Sequence, residues 1–177
     1  MKTDIILLAA GNSRRFQGNK LLYPLHGKPI IQYTLDTLSR VLCHRVIVVT
    51  QYEEVMTMAK PYGYTLIHNP HPEWGISHSI RLGLQETDSD QVLFLVGDQP
   101  YLRAKTLQGM LDKADGSMIL TANNQNPVIF PQRYFDELKQ LEGDTGGRVL
   151  FTRYPDNVVC YETDPNELKD IDTRKDL

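Results

Sequence analysis

Only two of the 177 residues are cysteine, Cys43 and Cys160, and they lie far apart at no metal-ligand spacing. That argues against a disulfide framework and a cysteine zinc site, and predicts reduced, structural thiols in a cytoplasmic protein. The five histidines (26, 44, 68, 71 and 78) form no HxxxH or HxH pair, which argues against a histidine zinc site. No apolar run approaches the roughly 18–20 residues of a membrane span. The N-terminus lacks the length and cleavage pattern of a signal peptide, so Met1–Ala10 reads as a first strand. The net charge of −3 offers no bulk attraction to nucleic acid. Acid is missing where base is plentiful. No carboxylate occurs between Asp4 and Asp36, while Arg14, Arg15, Lys20 and Lys28 all fall there. Such a local cationic stretch on a mildly acidic chain suits a small anionic ligand.

What is present reads as one α/β domain. Ile5–Ala9, Val46–Thr50, Tyr64–His68 and Val92–Val96 are short β-rich runs. Three are nearly continuous in apolar residues, as expected of strands buried on both faces of a parallel sheet. Helical stretches lie between them, at about Pro29–Arg40, Glu53–Lys60 and Ser77–Glu86. This alternation predicts a three-layer α/β/α fold with a mostly parallel sheet. Further on, a helix is expected near Ala104–Ala114, then strands near Met118–Thr121 and Val128–Pro131. A helix from Gln132, a short one near Gly146–Phe151 and a strand near Val158–Tyr161 complete the chain.

Ligands of open α/β sheets bind beyond the carboxyl ends of the strands. Two polar clusters stand at such ends: the loop Gly11–Lys20 after the first strand, and Gly97-Asp98-Gln99-Pro100 after VLFLV. The loop matches neither standard glycine-rich template. Gly11 and Gly18 are too far apart for a Walker A motif and Lys20 is followed by Leu21. Gly11-Asn12-Ser13 breaks the dinucleotide fingerprint at its third position. Its physics still suits a phosphate. Ala9, Ala10 and Gly11 let a ligand approach the backbone, loop amides can cradle an anion, and Arg14, Arg15 and Lys20 supply charge.

Leu8-Ala9-Ala10-Gly11, then Ser13, Arg15-Phe16, Gly18 and Lys20-Leu21-Leu22, spell L-A-A-G-x-S-x-R-F-x-G-x-K-L-L. With Gly27-Lys28-Pro29, Asn69, Gly75–Leu84, Gly97-Asp98-Gln99-Pro100, Asn126-Pro127-Val128, Gly143–Arg148 and Asp170-Ile171-Asp172-Thr173, in order, the chain resembles the MobA/MocA-like nucleotidyltransferases along nearly its whole length. The resemblance implies a Rossmann-like fold of the nucleotide-diphospho-sugar transferase type. It implies a single domain over residues 1–177, with the NTP-binding half at about 1–100 and the acceptor-binding half at about 101–177. Ala10 and Gln99 match the cytidylyl branch, L-A-A-G with D-Q-P, where the guanylyl branch reads L-A-G-G with D-T-P. The Ala10 methyl takes room that a glycine would leave for a purine.

The implied reaction transfers CMP from MgCTP to the terminal phosphate of molybdenum cofactor (molybdopterin), releasing pyrophosphate. Arg15, Lys20 and Asp98 are the implied catalytic residues. Leu8, Ala9, Ala10, Gly11, Ser13, Asn69, Ser77, Ser79, Arg81 and Gln99 join Arg15 and Lys20 in holding the nucleotide. Asn126, Asp144 and Arg148 are assigned to the acceptor, and Asp98 with Asp172 to Mg²⁺. The partners implied are the two small substrates and a molybdenum hydroxylase client, with no nucleic acid and no membrane. Blander readings stand beside these. Asp98 before Pro100 is a good helix start, Ser77 and Ser79 can be ordinary caps, and Asn69 suits a turn. Arg174 and Lys175 replace the usual Pro and Glu after Asp172, and Gln125 stands where Gly is common. His78 receives no role, Trp74 reads as core or cleft wall, and Glu162–Glu167 as a solvated connection. The alternatives are a guanylyltransferase or sugar-phosphate nucleotidyltransferase of the same fold, or a non-catalytic carrier or maturation factor for molybdenum cofactor.

Overall fold

The side chains of the first strand, β1 (Thr3–Ala9), alternate between two cores. Ile5, Leu7 and Ala9 enter one and Ile6 the other. A central strand covered on both faces has no wet side, which is why its sequence is almost unbroken in apolar residues. The computed structural model describes all 177 residues.

After β1 the chain runs through β2 (Pro24–Leu25), β3 (Lys28–Pro29), α1 (Ile30–Leu38), β4 (Arg45–Thr50), α2 (Glu53–Ala59) and β5 (Thr65–His68). Then follow α3 (Ile76–Gln85), β6 (Gln91–Val96), α4 (Ala104–Lys113), β7 (Ile119–Ala122) and β8 (Gln125–Pro131). The chain ends with α5 (Phe135–Lys139), α6 (Val149–Arg153), β9 (Val158–Tyr161) and a short C-terminal segment. All the strands and helices read from the sequence are present, with shifts of a few residues at their ends.

The main sheet has seven strands in the order β5-β4-β1-β6-β8-β7-β9. β5, β4, β1 and β6 are mutually parallel, and β8 runs antiparallel between β6 and β7. The reversal is made by Asn123-Asn124, whose φ of 47° and 62° form a two-residue hairpin turn. On one face α1, α2 and α4 contribute Leu35, Val55, Ala59, Leu107 and Met110 to the core. On the other, α3, α5 and α6 contribute Ile80, Leu84, Leu138 and Leu150. The three-layer α/β/α expectation is therefore met.

Topology places the site. From β1 the chain winds outward through β4 to β5, then returns by way of α3 to β6 on the opposite side of β1. Loops leaving the carboxyl ends of β1 and β6 part at this change of direction, and the parting opens a crevice.

A third, small core lies beside the crevice. Phe16 of the first loop packs with Leu25, Ile30 and the C-terminal Ile171. β2 and β3 close this core from below as a minimal hairpin turned by His26-Gly27, both at positive φ. The segment Glu162–Glu167 is mostly the solvated connection its acidity suggests, with one exception at its end. Glu167 is buried, and its carboxylate accepts hydrogen bonds from the Arg103 amide and the Thr106 hydroxyl at 3.1 and 2.6 Å. It ties the C-terminal segment to the start of α4, and partners hidden in sequence satisfy its charge.

Candidate active site

The loop after β1 is held from behind. Thr50 Oγ1 donates to the Ala9 carbonyl at 2.7 Å and Gln51 Nε2 to the Ala10 carbonyl at 2.8 Å, while the Tyr52 hydroxyl donates to the Gly11 carbonyl. Ser13 takes positive φ (51°), and its hydroxyl accepts from the Lys20 amide at 3.2 Å. Carbonyl after carbonyl is thus engaged by the end of β4. The amides of Gly11, Asn12, Ser13, Arg14 and Arg15 donate to no protein acceptor. Successive unpaired amides of this kind make an anion-binding concavity. A Cβ at Gly11 would meet no atom within 4 Å, so nothing in the protein fills the space over that backbone. Gln51 and Tyr52 were not singled out in the sequence, where nothing distinguishes them from ordinary strand-end residues.

Opposite the loop, the end of β6 brings in Asp98. Its Oδ2 accepts from Lys20 Nζ at 2.7 Å, and Lys20 Nζ lies 3.7 Å from Asp172 Oδ1. Both Lys20 and Asp98 are mostly buried. The other Asp98 oxygen, Oδ1, is buried with no protein partner. A buried carboxylate oxygen without a donor is costly unless a cation or water meets it. Asp170 stands nearby. It keeps solvent access, yet partial desolvation, with the Asp98 and Asp172 carboxylates close by, pushes its carboxyl up to about 6. Asp170 entered the sequence reading only as part of a motif.

The remaining wall comes from the start of α3. Gly75 has φ 87°, and a Cβ there would stand 2.4 Å from the Gly143 carbonyl carbon and oxygen. Only glycine admits this approach. Across it, the Gly143 carbonyl accepts from the Ser77 amide at 3.2 Å and Asp144 Oδ1 from the Ile76 amide at 3.3 Å. The segment Gly143–Asp144 therefore caps α3 and occupies its first two amides.

Together these elements enclose a cleft of about 580 Å³. Of the residues expected to form a site, Leu8, Ala9, Ala10, Gly11, Ser13, Arg15, Lys20, Ser79, Asp98, Asp144 and Asp172 line it. Six do not. Asn69 is fully buried, accepts from the His71 amide at 2.8 Å and donates to Ser79 Oγ at 2.9 Å, so it sets a turn and orients Ser79. Ser77 is buried at the α3 cap. Arg81 turns away and donates to the carbonyls of Lys139 and Leu141 at 3.0 and 2.8 Å. Gln99 is buried and donates to the Leu168 carbonyl at 3.1 Å, tying the C-terminal segment to the β6 loop. Asn126 offers its carbonyl to Gln99 at 3.4 Å, and Arg148 is exposed at the start of α6. Trp74 is not core: half of it is exposed at the cleft rim.

One group of three side chains lies close enough together to share an ion: Asp4, His44 and Asp88. It sits at the amino end of β1, away from the cleft. Arg45 already holds Asp4 Oδ2 at 3.1 Å, with Thr87 and His44 donating beside it, so the group is a structural ion-pair network. No helix is long and apolar enough to cross a membrane.

Residues 5–158 match the MobA-like NTP transferase domain. The chain belongs to that family. This MobA-like transferase is 31% identical over 185 residues to the purine catabolism protein PucB of Bacillus subtilis, covering 95% of this chain and 90% of PucB. It is 33% identical over 134 residues to the bifunctional protein GlmU of Janthinobacterium, covering 71% of this chain but only 29% of GlmU. Among solved structures, a nucleotidyl transferase from Methanothermobacter thermautotroptrophicus superimposes with a TM-score of 0.86 at 22% identity, covering 99% of this chain and 94% of that one. The protein is a nucleotidyltransferase by family and has the fold of that class. These likenesses select no branch within it.

Proposed function

We propose that this protein transfers CMP from MgCTP to the terminal phosphate of molybdopterin and releases pyrophosphate. The observation that carries the reading is the pairing, in one cleft, of five free loop amides with the Lys20–Asp98 pair and its unpartnered Asp98 oxygen.

The chemistry needs positioning more than proton transfer. A terminal phosphate oxygen of the acceptor is already an anion, so it can attack the α-phosphorus of CTP without a general base. The new P–O bond forms there as the bond to the β-phosphate bridging oxygen breaks, and pyrophosphate carries away the electron pair. The amides of Gly11 to Arg15 hold the triphosphate. Arg15 has no carboxylate partner to give up before it meets a phosphate. Lys20 is held by Asp98 at 2.7 Å and lies 3.7 Å from Asp172, which keeps its ammonium group in the cleft beside both carboxylates. Asp98 and Asp172 fit a divalent ion, because oxygen donors with one free buried oxygen match what Mg²⁺ takes. When bound, that ion neutralises charge on the phosphate oxygens. Asp144 lines the cleft and is the residue to which this reading gives the acceptor; Asn126 and Arg148 lie outside the lining.

The base is read on a narrower footing than the sequence suggested. Gln99 is committed to Leu168, so of the two branch residues only Ala10 lines the cleft, and the choice of base rests on it. Ala10→Gly is expected to raise GTP turnover relative to CTP, measured as the ratio of kcat/KM values. The test of the whole reading is pyrophosphate release with Mg²⁺ and molybdopterin, offering CTP, GTP, ATP and UTP in parallel. A strong CTP preference supports it. Release with GTP keeps the chemistry and overturns the choice of base, and release only with a sugar 1-phosphate overturns the acceptor.

A further inference from the structure

The protein has a single tryptophan, Trp74, and the cleft accounts for its neighbours Glu73 and Gly75 but not for its ring. About half of Trp74 is exposed. Its ring is not loose. His71 stacks on it with centroids 4.0 Å apart and planes 9° from parallel, and His78 meets it at 4.8 Å and 70°. The His71 and His78 centroids are 6.1 Å apart. As two legs and a hypotenuse, these separations make nearly a right angle at Trp74. His71 therefore covers one face of the indole and His78 abuts its edge. The second face is covered by neither ring.

The backbone beneath is equally fixed. A short turn over Pro72–Trp74 is closed by Trp74 N–H to the His71 carbonyl at 3.0 Å and Gly75 N–H to the Pro72 carbonyl at 3.1 Å. Gly75 is locked against Gly143. On the far side, Asn12 Nδ2 reaches the Pro72 carbonyl at 3.5 Å, so this turn meets the tip of the phosphate-holding loop. Exposing a large apolar ring to water while bracing it on its other side has a cost, and a flat partner would recover it.

We infer that the free face of Trp74 is a stacking platform, outside the triphosphate cleft, for a planar heteroaromatic ring of one of the two substrates. This rests on the transferase reading for which substrates are present, but not for the stacking itself. Two sources share the chemistry, the nucleobase and the pterin of the acceptor, and every base or pterin offers a π-face.

Because Trp74 is the sole tryptophan, its emission reports the platform in the intact protein. Emission is followed while CTP, GTP, a pterin monophosphate and, as a ring-free control, inorganic tripolyphosphate are added with Mg²⁺. Saturable quenching by ring-bearing ligands but not by tripolyphosphate is expected. Quenching by nucleotides alone assigns the platform to the base, and quenching by the pterin alone assigns it to the acceptor. In turnover, Trp74→Leu should raise KM for that substrate by about 5- to 100-fold with kcat largely kept, and Trp74→Phe should restore most of the loss. Equal quenching by tripolyphosphate, or an unchanged KM in Trp74→Leu, overturns the platform. If ring-dependent quenching occurs and no nucleotide is transferred to any acceptor, the platform stands and the transferase reading falls.

Discussion

Asp98 shows how one side chain can be read twice from sequence and decided by geometry. Before a proline it is a good helix start, and the structure instead gives one oxygen to Lys20 and leaves the other buried and unpartnered. Asp98→Asn replaces a charge with an amide of the same shape. It should lower pyrophosphate release by on the order of 10²-fold or more, because it removes charge where phosphate charge must be met. The melting temperature should move little, since Lys20 retains Asp172 within reach. A large fall in melting temperature would make Asp98 a structural residue. Residues whose neighbours lie close in the chain were legible here: the small side chains at 9 to 11 and the cations at 15 and 20 all line the cleft. Arg81, Gln99 and Ser77 were not. Each has the right chemistry in the right motif, but partners 58 to 69 residues away in sequence hold them elsewhere or bury them.

At the scale of elements, periodicity carried most of the fold, because buried strands and half-buried helices differ in pattern. β2 and β3, of two residues each, are too short to show a period. The pairing of β8 with β7 is made by a turn of two asparagines, and its pairing with β6 joins residues more than 30 positions apart, so neither shows in the pattern of the strand itself. Contacts between elements were the least legible. Gly75 looks like one glycine of a motif, yet it is where the Gly143 loop meets α3. Gly75→Ala should lose about 1–3 kcal/mol of stability through the positive φ and the clash together, read as a lower urea midpoint. A second element contact is titratable. Asp36 on α1 is raised by desolvation but more strongly lowered by hydrogen bonds from Lys28, Tyr62 and Gln32, to about 2. A folded pKa below the unfolded value near 3.9 stabilises the fold above that value. That contribution is lost as pH falls from about 4 toward 2. The urea midpoint of the native protein should drop across this window, and Asp36→Asn should show a shallower drop.

Across the whole molecule the C-terminal segment closes a circuit that neither half of the sequence announces. Ile171 is fully buried against Phe16 of the first loop, and its amide donates to the Asp98 carbonyl at 2.9 Å. The Arg174 guanidinium lies 5.7 Å over the Phe16 ring and 5.4 Å over Tyr23. Gln99 holds Leu168 from the other side. The last residues thus bind both walls of the cleft at once: the loop after β1 through apolar packing and the loop after β6 through backbone. The unusual Arg174, in place of a proline, has a use in this arrangement. Ile171→Ala leaves every residue of the loop after β1, and both carboxylates proposed to hold the metal, intact. It should cost about 2–5 kcal/mol of stability from the cavity beside Phe16. On the proposed reading it should also raise KM for the nucleotide at a temperature where the variant remains folded, because a loosened Phe16 frees the loop whose amides are proposed to hold the triphosphate. Loss of stability with an unchanged KM would mean that the C-terminal segment only seals the fold, and that the loop is held by the end of β4 alone.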